Sequence, residues 1–267
     1  MTQTVPAASM IGMVFSMILS VGAPILAFFL IRNRVEEEEN TDVSKAVLTG
    51  AGIFILFVMF LESAVHRAVF ASTGTQLTEN LVNYAIYGGF MAALFEETGR
   101  FIALRFLLKN ERTRTTALYY GVGHGGAEAV LLGATNALSN LLTSRVINAG
   151  GAESLLAGVD ESLRDQAMQQ LTAICTTPSG QFFLSGIERV MALVLQICFS
   201  YFVYRAVRDG KPTLFLLSFA LHFGVDAVTV LAAGYLSVYV VELLLAVIVC
   251  GVAALALKMW RSDAYYF

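Results

Sequence analysis

Ionisable side chains occur inside the apolar runs of this sequence and recur there at helical spacing. Glu96, Glu97 and Arg100 form the first group. Because residues three and four apart share one face of a helix, Arg100 is expected one turn from both carboxylates. A charge at the centre of a membrane span costs about 2.5–3.5 kcal/mol on insertion scales, so such groups are candidates for a functional site.

Two of the three histidines precede a carboxylate by four residues. His124 precedes Glu128 in a glycine-rich stretch, and His222 precedes Asp226. In a helix each pair lies on one face. Bundle packing alone does not require this repetition, which therefore favours a shared chemical function for the two histidines.

A further polar segment contains Glu188 and Arg189, with Gln196 two turns beyond Glu188 on the same face. Ion pairs and hydrogen bonds between helices also stabilise membrane bundles without any chemistry. This structural explanation stays open for Glu188 with Arg189, and for Arg100 with Glu96.

Two imidazoles and a carboxylate are the ligands of one class of catalytic zinc site, in which the metal lowers the pKa of bound water to about 7. We expect His124 and His222 to bind zinc. Glu128 is expected either as the third ligand or as the partner that orients an imidazole.

Glu96 and Glu97 cannot point at the same spot, because consecutive helix residues lie about 100° apart. We place Glu97 in the site as general base and Glu96 beside Arg100. The same groups could also act without metal, with Glu97 taking a proton from water and the histidines stabilising an oxyanion. Four more residues are expected to orient these groups or to stabilise the oxyanion: Asp226, Gln196, Glu188 and Arg189.

The elements that position these residues are predicted to be transmembrane helices. Of the 267 residues, 57% are hydrophobic and only 14% charged, and the mean hydropathy is +0.70. Ordinary globular chains carry about 25% charged residues. The net charge of −3 offers no basic surface for nucleic acid. We expect an all-α, multi-pass protein of the plasma membrane, in contact with the lipid bilayer and not with nucleic acid.

Apolar runs of about 20 residues predict seven spans. Lys and Arg are retained in cytoplasmic loops. With the N-terminus outside and the C-terminus inside, 12 of the 17 Lys and Arg residues fall in inner segments and only three in outer segments. The predicted spans are 10–31, 46–65, 82–104, 115–142, 181–204, 213–233 and 235–257, with a tight hairpin at Ala233-Gly234 between the last two.

This topology places the polar groups at one depth. Glu97, His124, Gln196 and His222 lie 9–12 residues from Lys109, Arg114, Arg205 and Lys211 of the inner boundary, respectively. At about 1.5 Å per residue this is roughly 13–18 Å from the inner edge. Spans three to six therefore present their polar groups in one layer near the midplane. We expect a single integral membrane domain over residues 1–267.

Two features are assigned to the outer side. The long connection 143–180 has apolar residues at helical spacing and is interpreted as an extracytoplasmic amphipathic loop or cap. Glu62 and His66 form another pair four residues apart at the outer end of the second span, beside Arg67. We interpret them as an interfacial pair.

At its polar motifs the sequence resembles the YhfC family of bacterial intramembrane metalloproteases, which is related to the CAAX-protease and bacteriocin-processing (CPBP) superfamily. The motifs span residues 96 to 226 on successive helices. The resemblance implies that the first glutamates activate water and that histidines bind metal or stabilise the transition state. It rests on Glu96-Glu97-Thr-Gly-Arg100, on Gly121-x-Gly-His124-Gly-Gly-x-Glu128, on Glu188-Arg189 with Ala192, and on His222-x-x-x-Asp226.

Carried over by position, the resemblance points to Glu96 or Glu97, His124, His222 and Asp226. One departure matters, because the family pattern continues from Glu-Arg to a histidine where this chain has Gln196. Glutamine is a poor zinc ligand, whereas His124, His222 and one glutamate could still form a three-ligand site.

The leading hypothesis is a peptidase that cleaves membrane-embedded or lipidated peptides in a water-filled cavity lined by spans three to six. A proton-coupled transporter is the first alternative, since midplane carboxylates and histidines also form proton relays. A haem protein with His124 and His222 as axial ligands is a second alternative. A catalytically inactive immunity or scaffold protein on the same fold is a third, which Gln196 keeps open.

Overall fold

The computed structural model describes residues 4–35, 41–111 and 113–263. Within these ranges the chain is helical and has no β-strand, which confirms the all-α prediction. The long helices in this part of the chain are α1 (Ala7–Arg34), α2 (Val43–Thr73), α3 (81–107), α4 (114–148), α5 (Glu161–Thr176), α6 (Ser179–Asp209), α7 (Pro212–Ala233) and α8 (Val238–Asp263).

The helices identify a multi-pass membrane protein. Five of them, α1, α2, α6, α7 and α8, are long and apolar enough to cross a membrane. Helices α3 and α4 have sufficient length and carry the polar motifs. Each predicted span overlaps one of α1 to α4 or α6 to α8. The number of spans and the orientation of the chain stay predictions.

Local sequence signals set several helix boundaries. The Asn80 side chain accepts hydrogen bonds from the N–H groups of Val82 and Asn83 and so caps the start of α3. Pro212 lies at the first turn of α7, where its missing N–H has no intrahelical partner to lose. The hairpin expected at Ala233-Gly234 is confirmed, because α7 ends at Ala233 and α8 begins at Val238.

The chain divides into two compact units. Unit 1 comprises Met1–Gly22 and Ala129–Val190, and unit 2 comprises Ala23–Glu128 and Met191–Phe267.

Unit 1 contains the segment 143–180. Helix α4 continues into it as far as Asn148, and a 3-10 turn, Ala152–Leu156, precedes α5. Asp160 caps α5 by accepting the N–H of Ser162. Of the apolar residues that recur at helical spacing, Leu156 and Leu171 lie in a buried cluster with Val5, Met13, Ile147 and Ala152, whereas Leu163 is 54% exposed. This packing agrees with an amphipathic segment, whose role as an extracytoplasmic cap stays a prediction.

Glycines allow close helix contacts in unit 2. A Cβ atom built on Gly50 of α2 would overlap the backbone carbonyl of Tyr120 in α4, and one on Gly123 would overlap that of Val47. A Cβ on Gly121 would lie 2.6 Å from the Cα of Ile197 in α6. Small residues at such crossings let backbones approach in a membrane bundle. The glycine-rich stretch around His124 therefore brings α2 and α6 against the histidine-bearing helix.

The ends of α6 and α8 are joined by a charged cluster. Arg208 donates to both oxygens of Asp263 over 2.6 and 2.8 Å, and the Tyr201 hydroxyl donates to Asp263 over 3.1 Å. Paired N–H donors of arginine match the two oxygens of a carboxylate in geometry and charge. This contact fixes α8 beside α6 at one end of the unit.

We expect Gly50→Ala to destabilise the protein and Gly52→Ala to leave it unchanged or slightly more stable. The new methyl group at position 50 meets the α4 backbone, whereas nothing lies within 4 Å of a Cβ at position 52. Overpacking costs about 1–3 kcal/mol, while alanine improves helix propensity at an open position. Thermal unfolding of both variants in detergent measures the difference, and equal melting temperatures would contradict this close contact.

Candidate functional site

Four helices of unit 2 contribute to one polar cluster: α3, α4, α6 and α7. Helix α3 supplies Glu96, Glu97 and Arg100, and all three side chains are buried. The expected layer of polar groups from these four helices is thus present as one set of direct contacts.

Glu97 is fully buried and binds two side chains of α7. His222 Nδ1–H donates to its Oε1 over 2.8 Å, and the Ser218 hydroxyl donates to its Oε2 over 2.7 Å. Arg100 Nη1 lies 3.4 Å from the same Oε1. A carboxylate that holds Nδ1–H fixes the ring orientation and tautomer of a histidine and leaves Nε2 to act. This geometry suits a residue that orients His222, whereas the sequence placed Glu97 as general base.

Glu96 lies between the two histidines of the cluster. His124 Nε2–H donates to Glu96 Oε2 over 2.9 Å, and His222 Nε2 lies 3.8 Å from Glu96 Oε1. Arg100 is closer to Glu97, at 3.4 Å, than to Glu96, at 3.9 Å. Both carboxylates therefore contact an imidazole and lie near Arg100: Glu96 approaches the Nε2 atoms of both rings, whereas Glu97 holds Nδ1 of His222. The assignment of the general base stays a prediction.

Arg100 is fully buried and its charge is compensated on several sides. Besides the two carboxylates, its guanidinium donates to the side-chain oxygen of Gln196 and, over 3.4 Å, to the Gln196 main-chain carbonyl. The guanidinium carbon lies 5.8 Å from the ring centre of Phe199. An unpaired charge at this depth would be strongly destabilising, so these contacts are needed to retain it.

Gln196 connects three charged residues. Its Nε2 donates to Glu96 Oε2 and to Glu128 Oε2, each over 2.8 Å, while its oxygen accepts from Arg100. An amide can donate twice and accept at the same time, which a histidine ring cannot do. Gln196 is therefore the centre of this hydrogen-bond network.

Aromatic rings hold both imidazoles in place. Phe199 stacks on His222 with centroids 5.0 Å apart and an 18° angle, and Phe54 meets the edge of His124 at 5.3 Å. These contacts restrict ring rotation, so the Nε2 atoms stay directed at Glu96.

The cluster contains four carboxylates from α3, α4 and α7, and Asp226 and Glu128 are the most accessible of them. Asp226 Oδ2 lies 3.6 Å from His222 Nε2, and its side chain is 37% exposed, compared with 9% for Glu96. Glu128 is half-buried. These two carboxylates are the partly accessible members of the cluster.

Glu188 and Arg189 belong to unit 1. The guanidinium of Arg189 donates to Glu188, and the two side chains are 17% and 37% exposed. A Cβ on Gly133 would lie 2.7 Å from Arg189 Cγ, so the glycine makes room for the arginine stem. This pair fits the structural explanation that the sequence left open.

Two residues near the cluster were not assigned to it from the sequence. Ser218 was not identified, although its position four residues before His222 on the same face of α7 was a usable signal. Glu62 forms the expected pair with His66, and it is also only 6% exposed and interacts electrostatically with Glu96 and His222. Its burial could not be read from the sequence, because distance along α2 does not show which face of the helix is buried.

The donor types at the cluster suit a divalent metal. Two imidazole Nε2 atoms approach one carboxylate, and Glu97 orients His222 by holding Nδ1–H, as carboxylates do for the ligating histidines of zinc sites. In the described ranges, however, no three His, Cys, Asp or Glu side chains surround one common point. The residues therefore fit a metal by the chemistry of their donors, while their side chains bond to one another.

Comparison with known proteins identifies the family of this chain. The family model of the YhfC intramembrane metalloproteases matches residues 19–249. The "Uncharacterized membrane protein YhfC" of Bacillus subtilis (strain 168) is 36% identical over 190 residues, which cover 69% of this chain and 72% of that protein. No solved structure matches the chain.

The fold and the site thus define a multi-pass helical membrane protein with a buried Glu/His cluster. The chain belongs to the YhfC family, as the motif resemblance predicted.

We expect Gln196→Leu to lower stability by about 1–3 kcal/mol for each buried group that it leaves without a partner. Arg100 loses its amide acceptor, and Glu96 and Glu128 lose a shared donor. Gln181→Leu, near the start of the same helix, is the control. Thermal unfolding in detergent measures both variants, and a Gln196→Leu protein as stable as the control would argue against this network.

Proposed function

We propose that the protein is an intramembrane peptidase that hydrolyses peptide bonds of membrane-embedded or lipidated substrates at the unit 2 cluster. The observation that carries the proposal is the Glu96 carboxylate held between the imidazoles of His124 and His222. The family name, which describes intramembrane metalloproteases, supports the same class of reaction.

Glu96 is the general base in this proposal. Its Oε2 is held by His124 and Gln196, while its Oε1 faces His222 Nε2. A water molecule beside Oε1 would give one proton to Glu96 as its oxygen attacks the peptide carbonyl carbon. The carbon–nitrogen bond then breaks, and Glu96 returns the proton to the leaving amine.

The catalytic groups are held in position by three further residues, Glu97, Ser218 and Arg100. Glu97 holds His222 Nδ1–H, Ser218 donates to the second oxygen of Glu97, and Arg100 offsets the negative charge of both glutamates. Such supporting partners keep reacting groups within the narrow geometry that catalysis requires.

His124, His222 and Glu128 would hold a metal ion, with zinc as the candidate. Glu128 shares the Gln196 amide nitrogen with Glu96, which places it beside the base. When bound, such an ion polarises the peptide carbonyl and makes water more acidic. In this arrangement Glu96 transfers the proton and is not itself a metal ligand.

We expect Glu96→Gln to lower kcat by at least about 100-fold, the usual loss when a general base is removed. The assay uses detergent-purified protein and a library of quenched-fluorescent peptides with apolar segments. Glu79→Gln, which changes an exposed carboxylate outside the cluster, is the matched control and keeps wild-type turnover. Equal turnover by Glu96→Gln, or peptide uptake into proteoliposomes without cleavage, would reject the peptidase proposal.

The metal assignment is tested by elemental analysis of the purified protein. We expect about one divalent metal ion per chain in the wild type, loss of that ion in His124→Ala/His222→Ala, and its retention in Glu96→Gln, since three protein ligands define such a site. His66→Ala removes the remaining histidine and is the control that keeps the metal. A wild-type protein without metal would limit the mechanism to the side chains alone.

A further inference from the structure

A second hydrogen-bonded chain in unit 2 is built around Glu62. This residue ends a π-helical segment of α2, Ile55–Glu62, and is 6% exposed. Such segments interrupt the regular helical repeat and occur frequently at functional sites. The π-helical segment thus ends at Glu62, which is the single carboxylate residue of α2.

One oxygen of Glu62 is held firmly. His66 Nε2–H donates to Glu62 Oε1 over 3.1 Å, and the Tyr87 hydroxyl donates to His66 Nδ1 over 2.8 Å. The His66 ring also packs on Tyr87 with centroids 5.3 Å apart. The carboxylate is therefore fixed in position by side chains from α2 and α3.

The other oxygen is not satisfied. Glu62 Oε2 is buried and has no hydrogen-bond partner among the residues that the structure describes. A buried acceptor left without a donor is unfavourable and calls for an explanation in any native structure.

Glu62 lies within electrostatic range of the catalytic cluster. It interacts with Glu96, with His222 and with Asp226, the accessible carboxylate of the cluster. Glu62 therefore lies near the groups of the proposed catalytic site.

A substrate peptide supplies the missing donor. A segment that enters a membrane site for cleavage must be unwound, and its backbone N–H groups then have no water to bind. A carboxylate oxygen accepts such an N–H in a charge-assisted hydrogen bond, which is stronger than one between neutral groups.

We propose that Glu62 is a substrate-positioning residue whose free oxygen accepts a backbone N–H of the bound peptide, with His66 and Tyr87 holding the carboxylate in place. This inference rests on the proposed peptidase function. It assigns to the Glu62, His66 and Tyr87 chain the recognition of extended peptide backbone, independent of side-chain sequence.

The test uses the full-length protein and the library peptide that the wild type cleaves fastest. We expect Glu62→Leu to lower kcat/KM at least tenfold, about 1.4 kcal/mol, without lowering the melting temperature. Glu62→Gln keeps an acceptor oxygen, so its kcat/KM falls less. This variant replaces Glu62→Leu in the test if the leucine variant does not fold. Glu79→Leu removes an exposed carboxylate from the segment between α2 and α3 and is the control with unchanged kcat/KM.

A backbone scan separates positioning from a general structural effect. Each amide N–H of the peptide is replaced in turn by an ester oxygen. We expect one ester position to lower kcat/KM with wild-type enzyme and to have little effect with Glu62→Leu. A leucine variant with wild-type kcat/KM, or one in which every ester costs as much as in the wild type, would overturn the inference.

The two proposals fail in different ways. Cleavage that is lost in Glu96→Gln and unchanged in Glu62→Leu removes the inference on Glu62 alone. Cleavage that survives Glu96→Gln removes the peptidase mechanism, and the inference with it.

Discussion

The structure of unit 2 depends on the compensation of charge in an apolar bundle. Glu96, Glu97 and Arg100 lie on a helix expected to cross the bilayer, where water cannot solvate them, and a buried ion without partners is strongly destabilising. Their partners come from three other helices, α4, α6 and α7. The relative positions of these helices are therefore constrained by hydrogen bonds as well as by packing.

Close approach between helices makes this compensation possible. Hydrogen bonds of 2.7–2.9 Å between short polar side chains on neighbouring helices require backbones that lie near one another. The glycines of α4 provide this at the contacts with α2 and α6. The position of His124 therefore depends on the glycines around it, because bulkier residues would move His124 away from Glu96.

A cluster of this kind adds little to stability. Replacing a buried ion network by well-packed apolar residues is often neutral or stabilising, so its retention in a bundle otherwise held by apolar contacts favours a chemical function. The cluster is also graded in exposure, from the fully buried Arg100 and Glu97 to the 37% exposed side chain of Asp226. Rigid supporting groups at the closed side and accessible carboxylates at the other are typical of a site that admits a ligand.

The sequence by itself determined the helical membrane class, and it predicted the spans and the residues of the polar layer. Apolar run length and four-residue spacing are local properties, and they predicted α3, α4, α6 and α7 as the helices of the site. Only the tertiary structure decided how the members pair. Glu96 approaches the Nε2 atoms of both imidazoles, Glu97 holds Nδ1 of His222, and Gln196 joins three charges. Glu62 is buried near the cluster. The reason is physical: helical spacing fixes the angle between residues of one helix, whereas the rotation of each helix about its own axis is set by contacts with its neighbours.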